Sequence, residues 1–186
     1  MIGYLNGNVL EVRGDHLILL VNGVGYKVLA PLSLLVSVEK DSSLSLYIHT
    51  HVREDQLSLF GFQNETELFV FEKLISVSGI GPKSALSMLS TNSPTSLAHA
   101  IESGDATTLS RTPGVGKRTA EKIILELRGK LSHLSNGEES KELEEVRLAL
   151  EALGYSSKEV HETLKDIKAD GKTTGTLIKE ALTRLH

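Results

Sequence analysis

The chain has 186 residues, of which 40% are hydrophobic and 24% charged, and its formal net charge is -4. It contains no cysteine, which excludes disulfides and thiolate metal sites. No apolar run reaches the roughly 20 residues that span a bilayer. The first residues, Met1 to Tyr4, lack the basic and apolar stretches of a secretory signal. We therefore expect a cytoplasmic protein.

Charge is distributed unevenly along the chain. Residues 1–62 carry four basic and six acidic residues, residues 63–131 carry eight and seven, and residues 132–186 carry eight and eleven. The basic residues of the middle third cluster late, at Arg111, Lys117, Arg118, Lys122, Arg128 and Lys130. A protein can bind phosphate through a local patch while it is acidic overall. The net charge therefore excludes no partner.

Residues 1–63 have the pattern of a small β domain. Short apolar runs separated by Gly and Asp turn signals lie at 9–12, 17–21, 26–29, 44–52 and 57–62. Five or six strands in about 60 residues suit a Greek-key barrel of the OB-fold type. Periodicity alone does not distinguish this barrel from other small ones.

The rest of the chain predicts helices. Residues 64–131 have apolar positions at three- and four-residue spacing, with prolines between short helices. Residues 132–140 are polar and patternless, which predicts a flexible linker. Residues 141–186 predict a three-helix, UBA-like bundle, in which Gly154 ends the first helix and Ser156 or Ser157 caps the second. The fold class is therefore α+β, with a barrel, a helical domain and a bundle in that order.

An internal repeat lies in the helical domain. Residues 74–85 match residues 109–120 at a constant offset of 35. Each copy has a leucine, a Gly-aliphatic-Gly triplet that starts five residues later, and an alanine four residues after the second glycine. An amphipathic helix follows each copy. The repeat predicts two helix-hairpin-helix motifs in tandem.

The residue types in the repeat suit phosphate binding. Glycine permits positive φ and leaves no side chain between the backbone and a ligand. The second glycine opens a helix whose free N–H groups face an anion, while the aliphatic residue points inward. The predicted DNA-binding residues are Gly79, Ile80, Gly81 and Lys83 in the first copy and Gly114, Val115, Gly116, Lys117, Arg118 and Lys122 in the second. Such contacts are independent of base sequence and sensitive to salt.

Other interpretations stay open. A Gly-x-Gly triplet can be only a turn between helices, although two copies in the same context argue against this. The chain can also be a generic DNA-tethering module, or a DNA glycosylase. A glycosylase of this type needs a catalytic Asp after the hairpin, and residues 117–131 contain none.

We expect neither a cofactor nor a metal. Gly116-Lys117 and Gly171-Lys172 both fail the pattern of a nucleotide-binding loop. The histidines lack zinc spacing, and His49 and His51 have no plausible third ligand, so we expect both to face solvent.

With these motifs assembled, the chain resembles the RuvA family, the bacterial subunits of Holliday-junction branch migration, along essentially its whole length. The matching segments are residues 1–7, 52–56 and 59–62, both hairpins, and residues 150–155. The resemblance implies a non-catalytic DNA-binding protein of recombination and repair, with a mobile C-terminal domain. It also implies a homotetramer, or an octamer on DNA, that holds a four-way junction open.

The resemblance implies further partners and sites. The C-terminal domain of the family docks the RuvB motor ATPase, and the RuvC resolvase shares the junction. The family's acidic pin maps onto Glu54 and Asp55, whose carboxylates would repel phosphates at the crossover. From the residues alone, this Arg-Glu-Asp-Gln segment is ordinary turn chemistry. We expect Leu153, Tyr155 and Leu182 to dock the motor unless they only fill the core of the bundle.

Overall fold

The computed structural model describes residues 1–135, 141–164, 167 and 173–185. One compact unit covers Met1–Ser135, and a second unit contains the three C-terminal helices. Among the described residues, no helix combines the length and the apolar character that crossing a membrane requires.

The elements follow the predicted order of barrel, helical domain and bundle. The strands of the first unit are β1 Tyr4–Val12, β2 His16–Val21, β3 Val24–Leu29, β4 Ser43–Val52 and β5 Leu57–Phe62. Its helices are α1 Leu32–Ser37, α2 Glu65–Ser76, α3 Pro82–Thr91, α4 Pro94–Ser103, α5 Ala106–Ser110, α6 Lys117–Leu127 and α7 Ser132–Ser135. The second unit contains α8 Lys141–Ala152, α9 Ser157–Leu164 and α10 Thr174–Leu185.

The five strands close into a barrel in the order β1-β2-β3-β5-β4. Neighbouring strands are antiparallel except β3 and β5, which are parallel. Alternate side chains point inward and form the core, which includes Leu5, Val9, Leu17, Leu19, Val28 and Leu46. The predicted OB-type barrel is confirmed. Helix α1, between β3 and β4, was not predicted because six residues are too few to show a helical period.

Strand β5 forms the packed interface between the barrel and the helical domain. Leu59 faces the barrel core, whereas Phe60 and Phe62 belong to the core of the helical domain. The rings of Phe60 and Phe62 lie 5.2 and 4.8 Å from the ring of Phe71 on α2. Asn64 caps α2 by accepting a hydrogen bond from the N–H of Glu67 at 2.8 Å. Burying three aromatic rings together holds the barrel against the helices.

The two sequence repeats fold alike. Helices α2 and α3 form the first hairpin motif, α5 and α6 form the second, and α4 connects them. Equivalent positions 35 residues apart in the sequence are buried in both copies: Leu74 and Leu109, Ile80 and Val115, Ala85 and Ala120. Alanine at the last of these positions lets the two helices of each motif approach closely. The tandem helix-hairpin-helix prediction is confirmed.

The segment that predicted a flexible linker begins with a helical turn, which corrects the prediction for residues 132–135. These residues form α7, which packs against α4. Leu131 is buried in the core of the helical domain, and Leu134 packs against that core. Leu131 and Leu134 are three residues apart and therefore share one face of the helical turn. This pattern was not recognised in the sequence because the residues around them are polar. The rest of the predicted linker, residues 136–140, lies outside the described residues.

The C-terminal helices form a small bundle with its own core. Val146, Leu150, Val160, Leu164, Ile167, Leu177 and Ala181 fill it. Gly154 ends α8 with a φ of 98°, as its sequence position predicted. Ser156, which precedes the first residue of α9, is its cap, because its hydroxyl oxygen accepts a hydrogen bond from the N–H of Glu159 at 3.4 Å. The hydroxyl in turn donates to the Glu159 carboxylate at 2.6 Å. This hydrogen bond lowers the pKa of the Glu159 carboxyl.

One buried polar group has no partner. Thr112, in the second hairpin, is the one buried polar side chain among the described residues, and its hydroxyl makes no hydrogen bond there. The equivalent residue of the first hairpin is Val77, which is buried and apolar. Thr112→Val should therefore raise the free energy of unfolding by about 1 kcal/mol, because an unpaired buried hydroxyl costs about 1–3 kcal/mol. Urea denaturation at fixed protein concentration measures the change.

The same substitution at Thr50 is the matched control. Its hydroxyl accepts a hydrogen bond from the N–H of Ile2 at 2.9 Å and donates to the Ile2 carbonyl at 2.6 Å. Thr50→Val should lower the free energy of unfolding by about 1–2 kcal/mol. A Thr112→Val protein that is less stable than the wild type would show that the Thr112 hydroxyl has a partner.

Candidate nucleic-acid interface

Each hairpin is built on a four-residue turn. In the first copy, the N–H of Ile80 donates to the carbonyl of Val77 at 3.0 Å, and Gly79 has a φ of 95°. The second copy repeats the hydrogen bond at 3.0 Å, with Gly114 at a φ of 85°. Of the two central residues of each turn, only the second has a positive φ. This is the pattern of a type II turn, which favours glycine at that position. The fold therefore requires the first glycine of each triplet.

Each turn leads the chain into the start of a helix. Gly81 and Gly116 are the N-caps of α3 and α6, and no described side chain caps either helix. The residue before each, Ile80 or Val115, is buried and anchors the turn in the core. The N–H groups of the first helical turn therefore face outward, where the helix dipole favours an anion.

The second glycine of each triplet is not required by the fold. Gly81 and Gly116 have φ values of -89° and -80°, which any residue adopts. A Cβ added at either position would meet nothing within 4 Å. A ligand that approaches the backbone closely would explain glycine at these positions. Open space alone does not mark a ligand site, since a Cβ at Gly3 or Gly175 would also meet nothing within 4 Å, but at Gly81 and Gly116 it coincides with the start of a helix that no described side chain caps.

Three of the predicted basic residues surround these helix starts. Lys83, Lys117 and Arg118 are exposed, which suits Coulomb attraction of phosphate. The two copies differ, because Pro82 is the first residue of α3 and has no N–H, whereas Lys117 occupies that place in α6. The second hairpin therefore offers one more N–H and one more cation than the first.

Lys122 is placed differently from the other predicted cations. Its ammonium group donates to the carbonyl of Ser78 at 2.7 Å and lies 3.7 Å from the carboxylate of Glu126. Lys122 belongs to the second motif and Ser78 to the turn of the first. The contact therefore ties the two hairpins side by side.

A cleft of about 280 Å³ lies between the barrel and the first hairpin. Two residues that line it were not predicted from the sequence to lie near a hairpin. His51 of β4 and Arg53, which directly follows β4, face Gly81 and Lys83 across this cleft. The Nε of Arg53 donates to Nε2 of His51 at 3.1 Å. Burial, and then the charge of Arg53, lower the pKa of His51, which keeps its ring neutral and able to accept. No motif in the sequence connects β4 to a hairpin, so only the fold places these residues here.

The prediction that His49 and His51 face solvent is wrong, because α2 covers His49 and the ring of Phe60 packs against His51. Nδ1 of His49 lies 3.0 Å from the carboxylate of Glu72, and its ring meets the ring of Phe71 edge-on at 5.4 Å. The ring of His51 meets that of Phe60 edge-on at 6.2 Å. Both histidines are half-buried.

Glu54 and Asp55 form the exposed two-residue tip between β4 and β5. The N–H of Arg53 donates to the carbonyl of Gln56 at 2.8 Å and closes the turn. No ion pair among the described residues neutralises either carboxylate. The tip therefore carries two adjacent negative charges, a geometry that suits ordinary turn chemistry and the predicted pin equally.

The expected docking residues of the bundle separate into two groups. Leu153 is 64% exposed, whereas Tyr155 and Leu182 pack against the bundle core. The exposed side chain of Leu148, on α8, was missed, although its position lies opposite the apolar face formed by Val146 and Leu150. Leu153 and Leu148 are thus free for a partner, while Tyr155 and Leu182 contribute to the core.

Comparison with known proteins gives the family. Residues 1–61 match the model of the RuvA N terminal domain, residues 71–130 the SAM-like helix-hairpin-helix tandem, and residues 141–186 the RuvA C-terminal domain. A protein of Thermus thermophilus, named Holliday junction branch migration complex subunit RuvA, is 43% identical over 191 residues, which covers 100% of both chains. This chain belongs to the RuvA family.

Other RuvA relatives match nearly as completely. Proteins with the same name from Trichlorobacter lovleyi and Halalkalibacterium halodurans are 40% and 38% identical to this chain. Each alignment covers 98% of this chain, and 98% and 97% of the two relatives. The RuvA resemblance noted from the motifs is thereby confirmed over the barrel, the hairpins and the bundle.

Gly116→Ala tests whether the open space at the second hairpin is a ligand site. The protein should keep its fold, because the added methyl group meets nothing within 4 Å. Its affinity for DNA should fall by about tenfold, since the methyl group stands where a phosphate oxygen approaches the N–H groups. Fluorescence anisotropy of labelled DNA measures the loss.

Gly175→Ala in α10 is the matched control, because its Cβ also meets nothing within 4 Å and it lies in the other unit. It should leave DNA affinity unchanged. A folded Gly116→Ala protein that binds DNA as tightly as the wild type would contradict the assignment of this site.

Proposed function

We propose that this chain binds four-way DNA junctions through their phosphates, independently of base sequence and without catalysing a reaction. The observation that carries the proposal is the pair of open helix starts at Gly81 and Gly116, where the fold leaves room that a Cβ would fill. Backbone N–H groups recognise phosphate and carry no information about the bases. The relatives are named as subunits of a Holliday junction branch migration complex, which is why we propose a four-way junction as the DNA.

Two features favour a junction over a continuous duplex. The tip at Glu54 and Asp55 and both hairpins lie in one unit, Met1–Ser135. A surface that attracts backbones at the hairpins and repels them at the tip suits DNA whose strands diverge. On a continuous duplex, the same carboxylates would oppose phosphates that cannot move apart.

The proposed assembly is a homotetramer, in which each protomer holds one arm of the junction and the four tips meet at the centre. The barrel carries several large exposed apolar side chains: Tyr4, Leu10, Leu20, Val24, Leu32 and Val36. The helical domain exposes far fewer, with Leu125 as the example on α6. Exposed apolar side chains concentrated on one part of a protein indicate a protein contact. We assign the subunit interface to the barrel on this ground.

The bundle is proposed to dock a RuvB-type motor ATPase, with hydrolysis performed by the motor and not by this chain. Residues 132–186 carry eight basic and eleven acidic residues, which disfavours a phosphate ligand. Leu148 and Leu153 are exposed there and offer apolar contacts. A RuvC-type resolvase would share the junction on the DNA that the scaffold leaves open, in the cytoplasm.

Neutralising the tip tests the junction proposal. Wild-type protein should bind a four-way junction more tightly than a linear duplex of equal length. Glu54→Gln combined with Asp55→Asn should raise duplex affinity by roughly three- to tenfold at low salt, because the repulsion of a continuous backbone is removed. Titrations of both DNAs at two salt concentrations measure the preference.

The control removes the same charge elsewhere on the barrel, with Glu39→Gln and Asp41→Asn. Asparagine tolerates the positive φ of 65° at Asp41. This variant should leave the preference for junctions unchanged. Equal binding of junction and duplex by the wild type would overturn the proposal, and unchanged duplex affinity in the tip variant would return the tip to plain turn chemistry.

Removing the bundle tests the division of labour. A chain that ends at Ser135 keeps the whole first unit and should bind junctions as tightly as the full chain. It should lose all stimulation of the motor ATPase. Native mass spectrometry and ATPase assays measure assembly and stimulation. Loss of junction binding by a folded, tetrameric truncation would place the bundle in the DNA site instead.

A further inference from the structure

The contact between Lys122 and Ser78 acts on the peptide that carries a proposed DNA donor. The ammonium group of Lys122 holds the carbonyl oxygen of Ser78 at 2.7 Å. The next N–H along the chain is that of Gly79. In a planar trans peptide, the carbonyl and the N–H point in opposite directions. Holding the carbonyl of Ser78 toward α6 therefore directs the N–H of Gly79 away from Lys122.

The turn itself leaves this peptide free to rotate. The hydrogen bond that closes the turn joins Ile80 and Val77 and does not involve the peptide between Ser78 and Gly79. Turns of types I and II differ mainly in the orientation of this central peptide. An outside contact is therefore needed to fix it.

The second hairpin restrains its turn differently. Pro113 stands at the position equivalent to Ser78, and its ring fixes φ near the value that both type I and type II turns require there. The first hairpin has no such ring, and the contact of Lys122 restrains its central peptide from the neighbouring motif.

We infer that Lys122 is a positioning residue, which holds the Ser78–Gly79 peptide so that the N–H of Gly79 faces the DNA phosphate. Its ammonium group donates to the Ser78 carbonyl and lies 3.7 Å from the Glu126 carboxylate, whereas no described residue pairs with Lys117, which is therefore the better candidate for attracting phosphate. This inference rests on the proposed function of the hairpins.

Three variants separate positioning from phosphate binding. Lys122→Met keeps the length of the side chain and removes its donor, Lys122→Arg keeps a charged donor, and Lys117→Met removes an exposed cation. Junction affinity should fall by about tenfold for Lys122→Met and recover largely in Lys122→Arg. The salt dependence should stay as in the wild type for Lys122→Met. For Lys117→Met it should weaken by about 0.9 in the logarithmic slope for each phosphate that the protein no longer neutralises.

Ser78→Pro is a second change in the same turn. Val77 has φ -76° and ψ 121°, which is the conformation that a residue before proline prefers. Proline at position 78 should reduce the number of conformations open to the turn, as Pro113 does, and should restore part of the affinity that Lys122→Met loses. A weakened salt dependence in Lys122→Met would overturn the inference.

A measurement without DNA keeps this test independent of the proposed function. In protein labelled with 15N-glycine, the amide resonance of Gly79 should move in Lys122→Met and stay near its wild-type position in Lys122→Arg. The resonance of Gly114 should stay unchanged in both. A Gly79 resonance that is insensitive to Lys122→Met contradicts the inference, whereas failure of the wild type to bind junctions contradicts only the proposed function.

Discussion

In each hairpin, a glycine with positive φ reverses the chain so that the next residue is buried and the one after it opens a helix. Gly79 and Gly114 provide the reversal, and the buried side chains of Ile80 and Val115 hold it in the core. The N–H groups at the start of α3 and α6 are then directed outward by the packing of the core. A site made in this way needs no flexible side chain to be ordered before it binds, which lowers the entropic cost of binding.

The aromatic packing between β5 and α2 fixes the position of the barrel relative to the two hairpins. Phe60 and Phe62 lie against Phe71 of α2, and the tip at Glu54 and Asp55 is the other end of the same β4–β5 hairpin. The proposed attraction at the hairpins and the proposed repulsion at the tip would therefore act at a fixed separation within one unit. When an attractive site and a repulsive site are held at a fixed distance, they favour a DNA whose backbones match both positions. Such a protein can distinguish DNA by its shape and not only by its charge.

Much of this site was predictable because its signal is local. The repeat at an offset of 35 predicted both turns, both helix starts and the inward position of Ile80 and Val115. The contacts of Lys122 and His49 were not predictable, because each depends on a partner that only the tertiary fold brings near: Ser78 for the first and Glu72 for the second. Lys122 was predicted to bind phosphate only because it is a cation close to the second hairpin in the sequence.

The most direct test of phosphate binding by the hairpin backbone is a titration of 15N-glycine-labelled protein with a four-way junction, followed by NMR. The amides of Gly79, Gly81, Gly114 and Gly116 should shift together as junction is added, and more at low salt than at high salt. The amides of Gly104 and Gly129, which have positive φ in the same unit but lie outside the hairpin turns, should stay in place. Saturating junction binding without movement of the four hairpin amides would contradict this account.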